Sequence, residues 1–340
     1  MKIFRYAAMA GVVAALLWTC PAQAADQTPH AMKFASQSVG STGYNRNVAL
    51  ANVINKNLPE GWSVEITPIS PGGVAGTLLV ENGKAEIGEG INVPNHMLAE
   101  GIFEMDGKKL PVPQNAQSLM GATDFAYFVI MFSEDFHKKT GVDTFEELVE
   151  KKIPFNLATK APGSASEIGS KLLLQTLGLT YDDVKKLGGT VFQVAPGQMA
   201  DLTRDGKVDV IVDVVGLGQP ALTELAMTKE MYIPQIGENT LAELQKFGYT
   251  PKVMPANTWK GQDKDMNTMV QTSAHVISKD VPEEIAYAIT KAIMENKEEL
   301  VKQMPALEHF EPSEAAEPSL NGLPFHPGAL KYYREKGLVK

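Results

Sequence analysis

The sequence predicts an α/β fold of two lobes, each built on a central, mostly parallel sheet and joined by a hinge that the chain crosses twice. Three observations lead there. Apolar strand-like runs alternate with helical patterns along the chain, the order that builds parallel sheets covered by helices. A length of 340 residues exceeds what one hydrophobic core normally serves, which points to two domains. Two distant stretches also share one design: a short apolar strand, a loop of small residues carrying Gly and Ser, then an amphipathic helix.

The first 24 residues are expected to be removed. Lys2 and Arg5 precede an apolar run from Ala7 to Trp18, and Ala22-Gln23-Ala24 places small residues at the spacing of a cleavage site. This reads as a secretory leader cut between Ala24 and Ala25; the run falls short of the roughly 20 apolar residues of a membrane span. Trp18-Thr19 ahead of Cys20 matches a lipoprotein signal poorly. Cys20 is the only cysteine, so its removal leaves a mature chain without disulfide or thiolate chemistry. The formal charge of −9 becomes −11 once Lys2 and Arg5 are gone, and no basic run remains to neutralise a phosphate backbone. That argues against nucleic acid as a partner, yet leaves room for a small anion, since local dipoles govern a buried site more than net charge does.

The mature chain opens with a strand over 32–36, a loop over 37–44 and a helix over 44–57. A strand over 63–69 ends in Ser70-Pro71-Gly72-Gly73, a helical stretch follows from Val74 to Asn82, and Glu86 to Gly90 reads as a short strand. The loops at 37–44, 70–76 and 90–95 thus follow strand ends and are expected on one rim, where open α/β sheets bind ligands. The continuous apolar strand 126–132 is long enough to pass between lobes. Thr144 with Glu147 three residues on marks a helix start. The second loop unit runs from Phe155–Ala158 through Pro162-Gly163-Ser164-Ala165-Ser166 into a helix ending near Leu177. A strand over 191–194, a helix over 196–204 and a buried strand over 208–214 follow, the last leaving through Gly216-Leu217-Gly218-Gln219-Pro220. Met269 to Ile277 is the strand expected to carry the chain back, and Val281-Pro282-Glu283-Glu284 opens a helix through Ile285, Ile289 and Ile293, with Pro and acids where a first turn favours them. The expected division is a first lobe of 25–127 plus 253–340 and an inserted second lobe of 128–252.

Several of these segments together resemble the TAXI family of TRAP-transporter solute receptors. They are the Gly40-Ser41-Thr42-Gly43-Tyr44 loop, Gly72-Gly73 ahead of a helix ending Glu81-Asn82-Gly83-Lys84-Ala85-Glu86-Ile87-Gly88, Pro162 to Glu167, and the closing Val281 to Ala292. The most specific piece is the ending His326-Pro327-Gly328-Ala329, with Tyr332-Tyr333, Glu335 and Gly337 after it. The resemblance covers nearly the whole mature chain. It implies a type II periplasmic-binding-protein-like fold, an exported periplasmic receptor without a cofactor, and TRAP membrane permease subunits as partners. The family's ligands are amino acids and organic acids such as glutamate, glutamine and dicarboxylates. Two departures leave the ligand open: Asn45-Arg46 follows Tyr44 where the family has paired aromatics, and Ile91-Asn92-Val93-Pro94 replaces its Gln-x-Asp pattern.

The candidate site follows from the loops. Backbone N–H groups at Gly40, Ser41, Thr42, Gly43 and Tyr44, at Gly72, Gly73 and Val74, and at Gly163, Ser164, Ala165 and Ser166 are expected to hold a ligand carboxylate, because a helix start presents free donors and a positive dipole end. Asn92, Gln198, Asp213, Gly216 and Gln219 sit near strand ends and are expected to select the remainder, Asp213 meeting a ligand ammonium or acting as a cap or interlobe hydrogen-bond partner. Ser41, Thr42 and Ser164 have the alternative of capping their helices. Tyr44 lies over the ligand or on a lobe surface. Arg46 opposes the dipole of its helix, and is solvated or paired with a ligand carboxylate or nearby acid. Trp259 covers the cleft or packs at the joint; His275 and His326 read as structural.

An exported serine hydrolase is the opposing reading, with Ser41 or Ser164 as nucleophile at a helix start. Neither sits in a Gly-x-Ser-x-Gly elbow, and His30, His96, His137, His275, His309 and His326 show no metal-site spacing. The chain is therefore expected to bind rather than catalyse. A periplasmic sensor subunit would use the same fold.

Overall fold

Two sheets organise the chain, seen in a computed structural model that describes residues 30–340 apart from 106. The expected leader and its cleavage site lie outside the described residues. The first lobe opens with β1 (His30–Ala35), α1 (Thr42–Asn57), β2 (Trp62–Thr67), α2 (Ala75–Glu81), β3 (Ile87–Ile91) and α3 (Asn92–Ala99). A small hairpin of β4 (Glu104–Met105) and β5 (Lys108–Lys109) leads to β6 (Ala116–Met120). After the crossing come β7 (Ala126–Ser133), α4 (Glu134–Thr140), α5 (Phe145–Glu150), β8 (Leu157–Thr159), α6 (Ala165–Thr176), α7 (Tyr181–Lys186) and β9 (Val191–Gln193). The second lobe continues with α8 (Pro196–Arg204), β10 (Val210–Val215), α9 (Pro220–Thr228), β11 (Met231–Tyr232), α10 (Glu238–Gln245), β12 (Thr250–Met254) and β13 (Met266–Gln271). The chain returns through β14 (Ser273–Ser278) to α11 (Glu283–Glu295), α12 (Lys297–Gln303), α13 (Pro312–Ala315) and α14 (Pro327–Glu335).

The first sheet has the order β2-β1-β3-β14-β6 and the second β12-β13-β7-β10-β8-β9, with β11 also on β7. Strands are parallel where strand–helix–strand units follow one another, as in β2-β1-β3 and β10-β8-β9. They are antiparallel where returning strands and hairpins join, at β14 and around β7. This is the α/β, two-lobed architecture expected. β12 and β13 form an antiparallel hairpin on the edge of β7, so both strands belong to the second sheet. The single returning strand expected over 269–277 is split accordingly, Gln271 ending one sheet and Ser273 starting the other. The loop expected over 90–95 is instead the end of β3 running directly into α3, with Pro94 in its first turn, where a missing N–H does no harm.

Continuous apolar sequence explains the second sheet's burial. Phe128, Ile130 and Phe132 of β7 join one core, while Tyr127, Val129 and Met131 join the core on the other face. The first lobe's core gathers Phe34, Leu50, Ile54 and Ile87 with Ile289 and Tyr333 from the closing helices. Here α14 lies so close to α11 that a Cβ on Gly328 would meet the Glu283 carbonyl oxygen at 2.2 Å, and the Tyr333 hydroxyl donates to Leu119 O at 2.9 Å. The lobes share apolar contact as well: Val93, Met97, Leu98 and Phe103 pack in one cluster with Phe128 and Leu172.

Candidate functional site

The start of α1 borders a chamber of about 300 Å³ on the first lobe, lined by Gln37, Thr42, Gly43, Arg46, Gly73, Glu89, Asp124 and Ser273 among others. Ser41 caps the helix by accepting from Tyr44 N at 3.1 Å, which leaves the hydroxyl engaged and the earliest helical N–H groups open. The Gln37 amide lies over Gly43: a Cβ there would stand 2.5 Å from Nε2 and displace that side chain. Gly72 and Gly73 turn the chain with φ of +94° and +63°, conformations that glycine adopts without strain.

Arg46 is buried rather than solvated, and its guanidinium is the hub of the chamber. It pairs with Glu89, donates from Nη1 to Asp124 Oδ2 at 2.7 Å and from Nη2 to Ser273 Oγ at 2.9 Å. Glu89 on β3 also accepts from Asn47 Nδ2 at 2.7 Å and from Gln37 Nε2 at 3.3 Å. Burial works against the charge of Arg46, but Asp124 and Glu89 outweigh it and push its pKa up. Asp124 is likewise penalised by desolvation, and Arg46 with the Ser273 N–H and hydroxyl nevertheless hold its carboxyl below the usual range. Its side chain keeps 46% of its surface open, so the carboxylate still faces the chamber. Two negative charges against one positive leave this chamber acidic.

The chamber meets a larger cavity of about 740 Å³ through Gly73 and Ile91, which line both. Its first wall is made by Val74, α3 and the β4–β5 hairpin, and its second by Pro162, Gly163, Ala165 and the exposed face of α6, with Phe247 and Gln271 closing the end. On the second wall Ser164 caps α6 by accepting from Glu167 N at 3.2 Å, and the Glu167 carboxylate accepts from Gly163 N at 3.3 Å. Part of the loop's donor set is thus satisfied internally. Lys171 neutralises Glu167 at 2.5 Å.

Of the residues expected to bind, Thr42, Gly43, Gly73, Val74, Gly163 and Ala165 line these two spaces. Gly72 supports the turn beside them. Gly40, Ser41, Tyr44 and Ser164 stand at the helix starts without lining either space, both serines acting as caps. Four strand-end residues and Ser166 line neither space. Asn92 is fully buried and engaged: Oδ1 accepts from Thr272 N at 2.7 Å, and Nδ2 donates to Gly248 O and Ser319 O, each at 2.9 Å. Ser166 is buried and donates to Asp213 Oδ1 at 2.5 Å; that oxygen also takes Lys160 Nζ at 3.0 Å, so Asp213 organises the loop from behind. Gln219 caps α9 through Leu222 N at 2.8 Å, and Gly216 lies exposed in the preceding loop, lining neither space. Trp259 is in the second lobe's core. His275 and His326 are structural: His275 bonds Asn47 Oδ1 at 3.0 Å, and His326 accepts from Gly328 N at 3.1 Å.

Gln37, Glu89, Asp124, Glu167 and Ser273 were not singled out by sequence. Glu89 carried the one available signal, an acid between Gly88 and Gly90 in a strand otherwise built of Ile and Gly.

A model of the NMT1-like family matches residues 34–337. Among solved structures, the chain is similar to a TctC solute binding protein from Polaromonas, at 14% identity and a TM-score of 0.50, over 91% of this chain and 97% of that one. It is also similar to XAC2383 from Xanthomonas citri, solved bound to ATP, at 10% identity and 0.47 over 91% and 96% of the two chains. A third is MatC from Rhodopseudomonas palustris with bound malate, at 14% identity and 0.44 over 92% and 99%.

Proposed function

The chain belongs to the NMT1-like family, and on that premise we propose that it is an extracytoplasmic solute receptor that closes its two lobes on a small carboxylate-bearing molecule. The observation that carries this reading is the 740 Å³ cavity whose walls come from opposite lobes, with the start of α1 at one end. Such a cavity is sealed by rotation about the two crossings, at 121–125 and Thr272, so a ligand that touches both walls favours the closed arrangement. The ligand's carboxylate is received by the open N–H groups of Thr42 and Gly43.

Within this reading the receptor is of the TAXI type, exported by a leader cut after Ala24, and it delivers its solute to the permease of a TRAP-type transporter. The sheets suggest lobes of 30–120 with 273–340 and of 126–271. No reaction is assigned: Ser41 and Ser164 are helix caps, their Oγ atoms accepting from backbone N–H groups. Titration calorimetry of the mature chain against amino acids, 2-oxo acids, dicarboxylates and aromatic acids tests the reading. Saturable 1:1 binding with a smaller radius of gyration in solution scattering is expected; turnover of a tested compound without saturable binding overturns it. A permease encoded beside this chain separates delivery from sensing.

A further inference from the structure

The chemistry of the cleft's two ends narrows the solute further, and the narrowing rests on the receptor reading. The larger cavity carries apolar side chains on both walls, with Glu104, Glu167, Lys171, Gln175 and Gln271 among them. Val74, Met97 and Phe103 stand on the first wall against Ile168, Leu172 and Phe247 on the second. A small dicarboxylate placed there loses its hydration and meets mostly hydrocarbon, with Glu167 and Lys171 already paired to each other. An apolar body of aromatic or branched aliphatic kind instead buries its own surface along with that of both walls.

The smaller chamber fixes the opposite end of the solute. Its single guanidinium faces two carboxylates, so one negative charge is left over, and Asp124 is the carboxylate that opens to the space. Among the described residues Asp124 Oδ1 accepts only from Ser273 N, at 2.8 Å, which leaves that oxygen room for a cationic donor. Arg46 also lines the chamber, is buried, and its Nε–H has no acceptor among the described residues. A buried donor without a partner costs free energy that an entering acceptor recovers. One end of the site therefore offers an acceptor for an ammonium beside donors for a carboxylate.

We infer that the cleft takes an amphipathic zwitterion: an amino-acid head, its ammonium on Asp124 and its carboxylate on Arg46 Nε and the Thr42 and Gly43 N–H groups, with an aromatic or branched aliphatic body between the lobes.

Calorimetry of the mature chain with L-phenylalanine, L-leucine, L-glutamate, malate, 3-phenylpropionate and phenethylamine tests this. Phenylalanine or leucine binds at least tenfold more tightly than glutamate and malate, and each single-charge analogue of phenylalanine is at least tenfold weaker than phenylalanine itself. Asp124→Asn lowers affinity for phenylalanine at least tenfold while leaving 3-phenylpropionate unchanged, a contrast that a merely unfolded variant would not give. Phe247→Ala weakens phenylalanine and leaves glutamate unaffected. Tighter binding of glutamate or malate overturns the apolar assignment while the receptor reading stands, and equal affinity for phenylalanine and 3-phenylpropionate overturns the ammonium on Asp124. Absence of binding by all six compounds, on protein that melts cooperatively, overturns this inference, while the receptor reading is decided by the wider panel above.

Discussion

Arg46 shows how a single side chain joins the site to the hinge. From α1 it reaches Glu89 in the first sheet, Asp124 in the outgoing crossing and Ser273 just past the return. Arg46→Met leaves Glu89 buried without its countercharge, and removing one partner of a buried pair typically costs about 3–5 kcal/mol. Urea unfolding is expected to show a loss of that order, with Glu89→Gln in the same background recovering much of it; an additive double variant would mean the pair is not coupled. His275, across the β3–β14 ladder from Glu89, supplies a pH dependence. Burial lowers its pKa from 6.5 to about 4, while Glu89 and Asp124 pull upward and Arg46 adds to the lowering. Between those values the unfolded chain binds a proton that the folded chain does not, so stability falls as pH drops from about 6.5 to about 4, by roughly 3 kcal/mol, and is level above. His275→Gln is expected to flatten that decline in denaturant midpoints taken at pH 7.5, 5.5 and 4. Asp124, with its lowered pKa, acts below this window, its contribution lost as pH falls through that lowered value. The legible part of the site was backbone: Thr42, Gly43, Gly73 and Gly163 follow from helix-start and turn chemistry. Its charged floor was not, because Arg46, Glu89, Asp124 and Ser273 are distant in sequence and meet only when four segments converge.

At the scale of elements, the α2–β3 contact sets the position of Glu89. Gly76 and Gly88 let helix and strand touch backbone to backbone: a Cβ on Gly76 would lie 2.0 Å from Glu89 O, and one on Gly88 2.4 Å from Gly76 O. Gly76→Ala therefore forces the helix off the strand and is expected to cost about 1–3 kcal/mol or more, as overpacking does. Gly197→Ala is the control, since a Cβ there meets nothing within 4 Å in the exposed first turn of α8; it is expected to raise stability by up to about 1 kcal/mol. Thermal melts of both variants read the contrast. Most elements were legible because their periods are clean: α8 spans the expected 196–204, and β7 is apolar on both faces. The errors fall where tertiary pairing decides. Thr250–Met254 is a short strand containing a proline, and only its antiparallel partner β13 and the edge of β7 place it in the second sheet. Asn92 looked like a strand-end loop residue because nothing local reveals that α3 begins without a connecting turn.

For the whole molecule, the lobes also meet outside the crossings, and one of those contacts is tight. The turn before β12 brings Gly248, at φ +96°, against α3, where Asn92 donates to its carbonyl and an added Cβ would meet His96 Cβ at 2.6 Å. His96 also bonds Lys246 O at 3.2 Å, so α3 of the first lobe rests directly on the second. Because the same helix presents Met97 to the cleft, its seating governs both the lobe angle and the width of the ligand space. Gly248→Ala is expected to push α3 from the turn, besides the strain of alanine at positive φ. In solution scattering the free variant is expected to show a larger radius of gyration than the parent, with ligand affinity lowered because closure must first overcome the displaced contact. A lower melting temperature with unchanged scattering and unchanged affinity would place the whole effect in local strain, and the α3–Gly248 contact would then have no part in setting the lobe angle.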